Sequence, residues 1–282
     1  MLDVRLGREG PPPKPAATVL CLRDGERGLE VLCVERAKAS GFLGGAVVFP
    51  GGKLDASDGE LDPALRGAPA PLPRDDFADA EANTALAVAA CRECFEEAGL
   101  LFHGGPPLAE GTRRAMQQAL TSGQHLQKVL HDANVALDLG ALVPFARWIT
   151  PTVETRRFDT RFYLARAPEG QDAVHDAHET TMAFWATPKA VLDRFEASEC
   201  QLFPPTHRSL ELLASARDVD DALRGAAARR LWPICPELVV HKDALGDTTA
   251  LTLPGDREHS LREPRIEGAT RYVLRGERWV PG

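Results

Sequence analysis

Three glutamates are spaced so that a helix would carry their carboxylates on one side. Glu93, Glu96 and Glu97 fall at about 0°, 300° and 40° around a helix axis. The apolar side chains Val88 and Phe95 fall at about 220° and 200°, on the opposite side, where they would attach the helix to a core. We therefore expect a rigid helix that presents three carboxylates away from the core.

Carboxylates this close repel one another, and a divalent cation between them would reverse the sign of that interaction. Carboxylate oxygens suit Mg²⁺ or Mn²⁺, and these ions in turn suit substrates that bring phosphate oxygens. The other interpretation of the triplet is an acidic helix face in solvent. The triplet alone does not decide between a metal site and a solvated surface.

Two elements would position these glutamates. A helix is predicted over 82–101, where Asn83 can cap the start and Gly99 lies at the end. Ahead of it, an apolar run at 46–49 stops at Pro50-Gly51-Gly52. This pattern predicts a short strand that leads into a tight glycine loop.

The rest of the chain divides into three regions. Residues 1–15 are rich in proline and predict an extended arm, residues 16–203 form the main domain, and residues 204–282 form a C-terminal extension with helices and short strands. The remaining predicted elements are a hairpin of strands 17–22 and 29–35, a helix at 111–130, strands at 141–145 and 161–165, helices at 189–197, 206–213 and 218–231, and strands at 250–253 and 272–274.

The glycine loop and the acidic helix together resemble the signature of the Nudix hydrolases. Residues 49–55 read FPGGKLD, and residues 92–100 read RECFEEAGL, which matches the helix half of the signature at every specified position. The resemblance covers about residues 16–197. It implies an α+β Nudix fold, an α/β/α sandwich with a mixed central sheet, and a loop and helix that bind divalent cations and present a diphosphate to water.

One departure from the signature concerns its first acidic residue. The usual pattern has Glu six residues after the glycine and Arg eight residues after that Glu; counted from Gly52, position 58 is Asp58, and Arg92 comes 92 − 66 = 26 residues too late. We therefore expect a surface insertion at about 56–80, whose removal should leave the core intact. The first acidic position stays open among Asp55, Asp58 and Glu81.

The resemblance also implies roles for residues near the signature. The metal ligands would be Glu93, Glu96 and Glu97, with the carbonyl of Gly52 as an additional one. Arg92 would orient a glutamate by charge-assisted hydrogen bonds. The catalytic base would be Glu93 or a glutamate from a distant loop, for which Glu179 is the candidate, although Glu179 also fits an ordinary surface position.

Residues 35–42, 147–151 and 156–162 are similar to the Nudix branch that contains peroxisomal acyl-coenzyme A diphosphatases and their bacterial relatives. The branch implies cleavage of coenzyme A or acyl-coenzyme A into 4′-phosphopantetheine, or its acyl form, and adenosine 3′,5′-bisphosphate. The alternatives are cleavage of ADP-ribose or NADH, and a non-catalytic Nudix-like nucleotide sensor. Such sensors commonly lose carboxylates from the helix, whereas this chain keeps all three.

Four arginines and one tryptophan are candidates for substrate binding. Guanidinium groups fit phosphate, and aromatic faces accept bases, so Arg156, Arg157 and Arg161 could hold phosphate near Trp148, which would stack an adenine ring. The structural alternative is a polar strand edge beside a core tryptophan. Arg36 is a further candidate for the substrate phosphates.

Composition excludes several functional classes. The 282 residues carry 33 Lys and Arg against 41 Asp and Glu, a net charge of −8, so no overall positive field would hold nucleic acid or an anionic membrane. Six cysteines are too few for a disulfide scaffold, and the apolar runs are too short to cross a bilayer.

The final residues, Val280-Pro281-Gly282, lack a peroxisomal signal, so we expect a bacterial-type cytoplasmic enzyme. The extension has two interpretations: its leucines, such as Leu210, Leu212 and Leu213, build a homodimer, or they cover the core of their own chain.

Overall fold

The structure is a computed structural model that describes residues 10–36, 45–67, 75–173, 180–243 and 246–282. Within these residues the strands are β1 (Lys14–Gly25), β2 (Gly28–Arg36), β3 (Val47–Val48), β4 (Gly51–Lys53), β5 (Val143–Ile149), β6 (Phe158–Arg166), β7 (Thr180–Ala186), β8 (Pro233–Ile234), β9 (Glu237–Asp243), β10 (Gly246–Thr252), β11 (Arg271–Arg275) and β12 (Arg278–Pro281). The helices are α1 (Ala56–Gly59), α2 (Ala80–Ala98), α3 (Glu110–Thr121), α4 (Leu126–Ala133), α5 (Pro188–Glu196), α6 (Pro204–Ala214) and α7 (Val219–Ala228).

The first eight strands form one mixed sheet. Its order is β3-β2-β1-β6-β5-β8, with β4 paired to β1 and β7 paired to β2. The β1–β6 and β5–β8 pairs are parallel, and the other pairs are antiparallel. The predicted hairpin is confirmed, since β1 turns into β2 with Gly25 opposite Gly28. Strand β1 starts at Lys14 and pairs there with Phe158, so the predicted arm 1–15 ends two residues too late.

Alternation along the strands builds two cores, one on each face of the sheet. Val19 and Cys21 face α2, α3 and α4, whereas Leu20 and Leu22 face α5, α6, α7 and the second sheet. All four side chains are fully buried. The predicted α/β/α sandwich with a mixed central sheet is therefore confirmed.

The C-terminal residues are part of the second core rather than a separate body. Strand β8 pairs with β5 of the main sheet, and strands β9 to β12 form an antiparallel sheet that packs on the same face. Leu210 and Leu213 of α6 are buried in this core. They cover the core of their own chain, so the homodimer stays a prediction without support from these two leucines.

The segment before α2 contributes to the first core. Phe77 is fully buried and meets the ring of Tyr163 edge to face, with centroids 5.4 Å apart. Leu61 is also buried, and the guanidinium of Arg161 donates to the Phe77 carbonyl. The expectation that the insertion could be removed without harm to the core is therefore wrong, because its two ends supply core side chains.

Two further predicted helices need adjustment. Helix α2 starts at Ala80 with Asp79 as its cap, whereas Asn83 lies inside the helix and accepts a hydrogen bond from the Tyr163 hydroxyl. The helix predicted at 111–130 is two helices, α3 and α4, separated by Gly123 at φ 93°.

In the described part of the chain, no helix has both the length and the apolar character to span a membrane.

Candidate active site

The glycine loop and the acidic helix interlock directly. The backbone N–H of Gly51 donates to the Glu97 carboxylate at 3.0 Å. A Cβ at Gly52 would lie 2.4 Å from the Glu93 carboxylate, so any other residue would displace that carboxylate from its present position. The loop half and the helix half of the predicted signature therefore lie together.

Arg92 is the centre of the acidic cluster. Its guanidinium donates to both carboxylate oxygens of Asp58, at 2.8 and 3.0 Å, and to Glu93 at 2.9 Å and Glu96 at 3.3 Å. It also donates to the carbonyl of Lys53 at 3.0 Å. Arg92 and Asp58 are both buried, so their interaction is shielded from solvent. These bonds tie the loop, α1 and α2 together.

Asp58 is the acidic residue that the sequence left undetermined. It is 1% exposed, and it accepts a hydrogen bond from the backbone of Asp55 as well as two from Arg92. The side chain of Asp55 is 63% exposed and lies 3.7 Å from Arg92, and Glu81 is exposed. Asp58, the position counted from Gly52, is thus the candidate that pairs with Arg92. The bounds of the insertion, about 56–80, stay a prediction.

Helix α3 holds the end of α2 that carries the glutamates. Gly99 ends α2 in the left-handed conformation at φ 66°, and Arg113 donates to its carbonyl. Gln117 donates to the carbonyl of Glu96 at 3.0 Å. Neither contact can be predicted from the sequence, because nothing in the spacing of α3 indicates which carbonyls it would meet.

The cluster carries excess negative charge that suits a hard divalent cation. Asp58, Glu93, Glu96 and Glu97 contribute four carboxylates against one guanidinium. Burial raises the pKa of Glu93 to about 7, Glu96 adds to the shift, and Arg92 opposes it. Burial likewise raises the pKa of Glu96. A bound cation would stabilise the ionised form of both groups.

The carboxylates are not arranged as a ready-made metal cage. Within the described ranges, no three His, Cys, Asp or Glu side chains converge as ligands for an ion. Glu93 and Glu96 point to Arg92, and Glu97 points to the Gly51 amide. An ion bound by all three glutamates would therefore require Glu93 and Glu96 to turn away from Arg92.

The cluster lies in the wall of a cleft of about 700 Å³, a size that suits a small organic ligand. Of the predicted substrate residues, Arg36 and Trp148 line the cleft. Trp148 is only 3% exposed and packs in the second core, so little of its ring is open to the cleft. Stacking of an adenine on Trp148 stays a prediction, which this burial does not support. Phe158 and Phe203, which were not among the predicted site residues, line the cleft as half-buried rings.

The other three arginines do not line the cleft. Arg161 lies one residue from Thr160 on β6, so it faces the opposite side of the sheet, where it binds Asp159 and the Phe77 carbonyl. Arg157 donates to the carbonyls of Thr150 and Pro11. Arg156 is exposed outside the wall of the cleft. Glu179, the alternative base, lies outside the described residues.

Comparison with known proteins agrees with this geometry. The family model described as the NUDT19 Nudix domain matches residues 70–213. The chain belongs to this family of Nudix hydrolases. A crystal structure of a NUDIX hydrolase from Alicyclobacillus acidocaldarius is 34% identical, with a TM-score of 0.64, and the match covers 75% of this chain and 96% of that one.

Curated relatives cover much of the chain at lower identity. Acyl-coenzyme A diphosphatase NUDT19 of Homo sapiens is 28% identical over 273 residues, which cover 81% of this chain and 72% of the human protein. The protein of the same name from Gallus gallus is 27% identical and covers 89% of this chain and 78% of its own length. Nudix hydrolases in general depend on divalent metal ions, which agrees with the charge of the acidic cluster.

Proposed function

We propose that this Nudix hydrolase cleaves the diphosphate of coenzyme A or acyl-coenzyme A. The products would be 4′-phosphopantetheine, or its acyl form, and adenosine 3′,5′-bisphosphate. The observation that carries the proposal is the Arg92-centred carboxylate cluster against Gly51 and Gly52 in the wall of the cleft. The names of the human and chicken relatives support the choice of substrate.

We propose Mg²⁺ or Mn²⁺ as the metal, held by Glu93, Glu96 and Glu97 with the carbonyl of Gly52. The donor set supports this choice because it consists of carboxylate and carbonyl oxygens. When bound, the ion would neutralise diphosphate oxygens and lower the pKa of a water. Arg92 holds Glu93 and Glu96 in the structure, and both would turn towards the ion when it binds. Glu93 is our first choice for the group that accepts the proton of the attacking water, and Glu179 is the alternative.

Positive side chains at the cleft would bind the diphosphate. Arg36 and Lys53 both line it, and Lys53 directly follows the glycine pair. Their charges would offset those of the substrate phosphates. We propose them as substrate contacts instead of Arg156, Arg157 and Arg161.

We also propose that the protein works in the cytoplasm. All six cysteines are free thiols, and five of them are buried in the protein. This usage agrees with a reducing compartment.

Analysis of the products tests the proposed reaction. The full-length protein is incubated with Mg²⁺ and, separately, with coenzyme A, octanoyl-coenzyme A, ADP-ribose and NADH, and the products are identified by mass spectrometry. We expect adenosine 3′,5′-bisphosphate from the first two substrates. Cleavage of ADP-ribose or NADH alone would contradict the proposed substrate, and binding without cleavage would favour a sensor.

A further inference from the structure

The charged residues of the cleft wall occupy one part of it. In the described part of the chain, every charged side chain on the wall belongs to α2, to the end of β2 or to residues 53–55. Those outside α2 are Arg36, Lys53 and Asp55. The Gly51 and Gly52 contacts place this charged part beside β4.

The remainder of the wall is uncharged. Strands β5 and β6 contribute Ile149 and Thr160, and the residues after α5 contribute Phe203, Pro236 and Leu251. These side chains are aromatic, aliphatic or hydroxylic, and the described residues of this part include no cation. We call this part the neutral wall.

The sheet order gives the extent of the neutral wall. Strand β4 pairs with β1, β1 with β6 and β6 with β5, so three strand spacings separate β4 from β5, the last strand of this sheet that lines the cleft. At about 4.8 Å for each spacing, this distance is roughly 14 Å. A diphosphate at the glutamates therefore leaves a wide uncharged surface for one of the two groups that it joins.

We propose that the neutral wall is the subsite for the neutral arm of the substrate, the pantetheine chain with its thioester-linked acyl group. This inference rests on the proposed function. The adenosine 3′,5′-bisphosphate half then lies on the charged side of the diphosphate, because its extra phosphate on the neutral wall would be buried without a cation. Hydrocarbon is stabilised there by its removal from water, and threonine hydroxyls can bond the amides of the arm.

Binding of the two product halves tests this orientation. S-octanoyl-4′-phosphopantetheine and adenosine 3′,5′-bisphosphate are titrated calorimetrically into the full chain and into two matched variants, Thr160→Asp and Thr160→Asn. The variants differ only in charge. We expect Thr160→Asp to weaken binding of the acyl arm about tenfold, because a carboxylate would be buried against hydrocarbon. Thr160→Asn should stay within about twofold of wild type.

The bisphosphate is the internal control. It carries more negative charge than the arm fragment, so general repulsion by the new carboxylate would weaken it more. We expect its affinity to stay within about twofold in both variants. A loss confined to the bisphosphate, equal losses for both fragments, or no loss for either would overturn the inference.

Phe203 provides a second test position, so that the result does not depend on substitutions at Thr160 alone. Phe203 is the N-cap residue of α6, where Asp and Asn are both favourable, so Phe203→Asp and Phe203→Asn lose the same ring and differ from each other only in charge. The Asp variant should bind the acyl arm more weakly than the Asn variant; equal affinities would count against the neutral wall. These fragment affinities do not depend on turnover, so the orientation and the proposed reaction can fail independently.

Discussion

Asp58 and Arg92 form a buried ion pair with two hydrogen bonds, 2.8 and 3.0 Å long, across 34 residues of sequence. The pair joins α1, directly after the glycine loop, to the helix that carries the glutamates. It uses the planar fork of the guanidinium against both carboxylate oxygens. The same guanidinium contacts Glu93 and Glu96, so the position of Asp58 controls the acidic cluster.

Replacing Asp58 by Ala should therefore destabilise the protein and disturb the site. The substitution removes two hydrogen bonds to a buried charged group that keeps Glu93 and Glu96 as partners, and we expect it to cost about 1.5–3 kcal/mol. We expect chemical denaturation to show a loss of this size and coenzyme A cleavage to fall with it. Asp55→Ala is the control, because the Asp55 side chain is mostly exposed; equal losses in the two variants would refute the special role of Asp58.

Gly52→Ala should weaken metal binding while the protein stays folded. The added Cβ would lie 2.4 Å from the Glu93 carboxylate and must displace it. We expect a fall of about 10- to 100-fold in Mg²⁺ affinity or activity, as when groups that orient metal ligands are changed. Gly111→Ala in α3 is the matched control, because its Cβ would meet nothing within 4 Å. Wild-type Mg²⁺ activation in Gly52→Ala would contradict the expectation.

The raised pKa of Glu93 predicts a pH effect on stability when metal is removed by EDTA. Burial shifts this pKa from 4.5 to about 7. The folded state therefore binds the Glu93 proton more tightly than the unfolded state does. The resulting stabilisation of the fold is complete below pH 4.5 and is lost as the pH rises to about 7. Between pH 5 and 8 the melting temperature of the wild type should fall more than that of Glu93→Gln. Parallel curves would show that Glu93 does not contribute.

Substitution of Phe77 tests whether the insertion contributes to the stability of the fold. Its ring is fully buried against Tyr163, so Phe77→Ala should cost about 3–5 kcal/mol in the free energy of unfolding. The neighbouring Asp76→Ala provides the comparison, since the exposed Asp76 contributes its backbone carbonyl to Arg147. Urea denaturation of both variants measures the difference. A loss below about 1 kcal/mol for Phe77→Ala would show that the ring can leave the core.

The sequence predicts the fold and the acidic helix well because both depend on local patterns. The spacing of Glu93, Glu96 and Glu97 and the glycine stop at Pro50-Gly51-Gly52 are readable without tertiary information. Asp58 could not be selected because counting from Gly52 and counting back from Arg92 give different answers when an insertion separates them. A buried bidentate contact decides the choice.

The substrate residues were harder to predict because strand alternation has a period of two. Thr160 and Arg161 are neighbours, yet one lines the cleft and the other binds Phe77 on the opposite face. A pattern of arginines does not show which face borders the cleft. Phe203 was missed because its place in the wall depends on how α6 packs on the sheet.

The most direct test of the account compares Mg²⁺-dependent release of adenosine 3′,5′-bisphosphate from coenzyme A by wild type and Glu97→Gln. The glutamine can still accept the Gly51 hydrogen bond through its amide oxygen, but it removes one charge from the cluster. The account predicts an unchanged melting temperature and a loss of turnover of about 100-fold. Equal turnover by the two proteins would contradict the assignment of the acidic helix as the catalytic metal site.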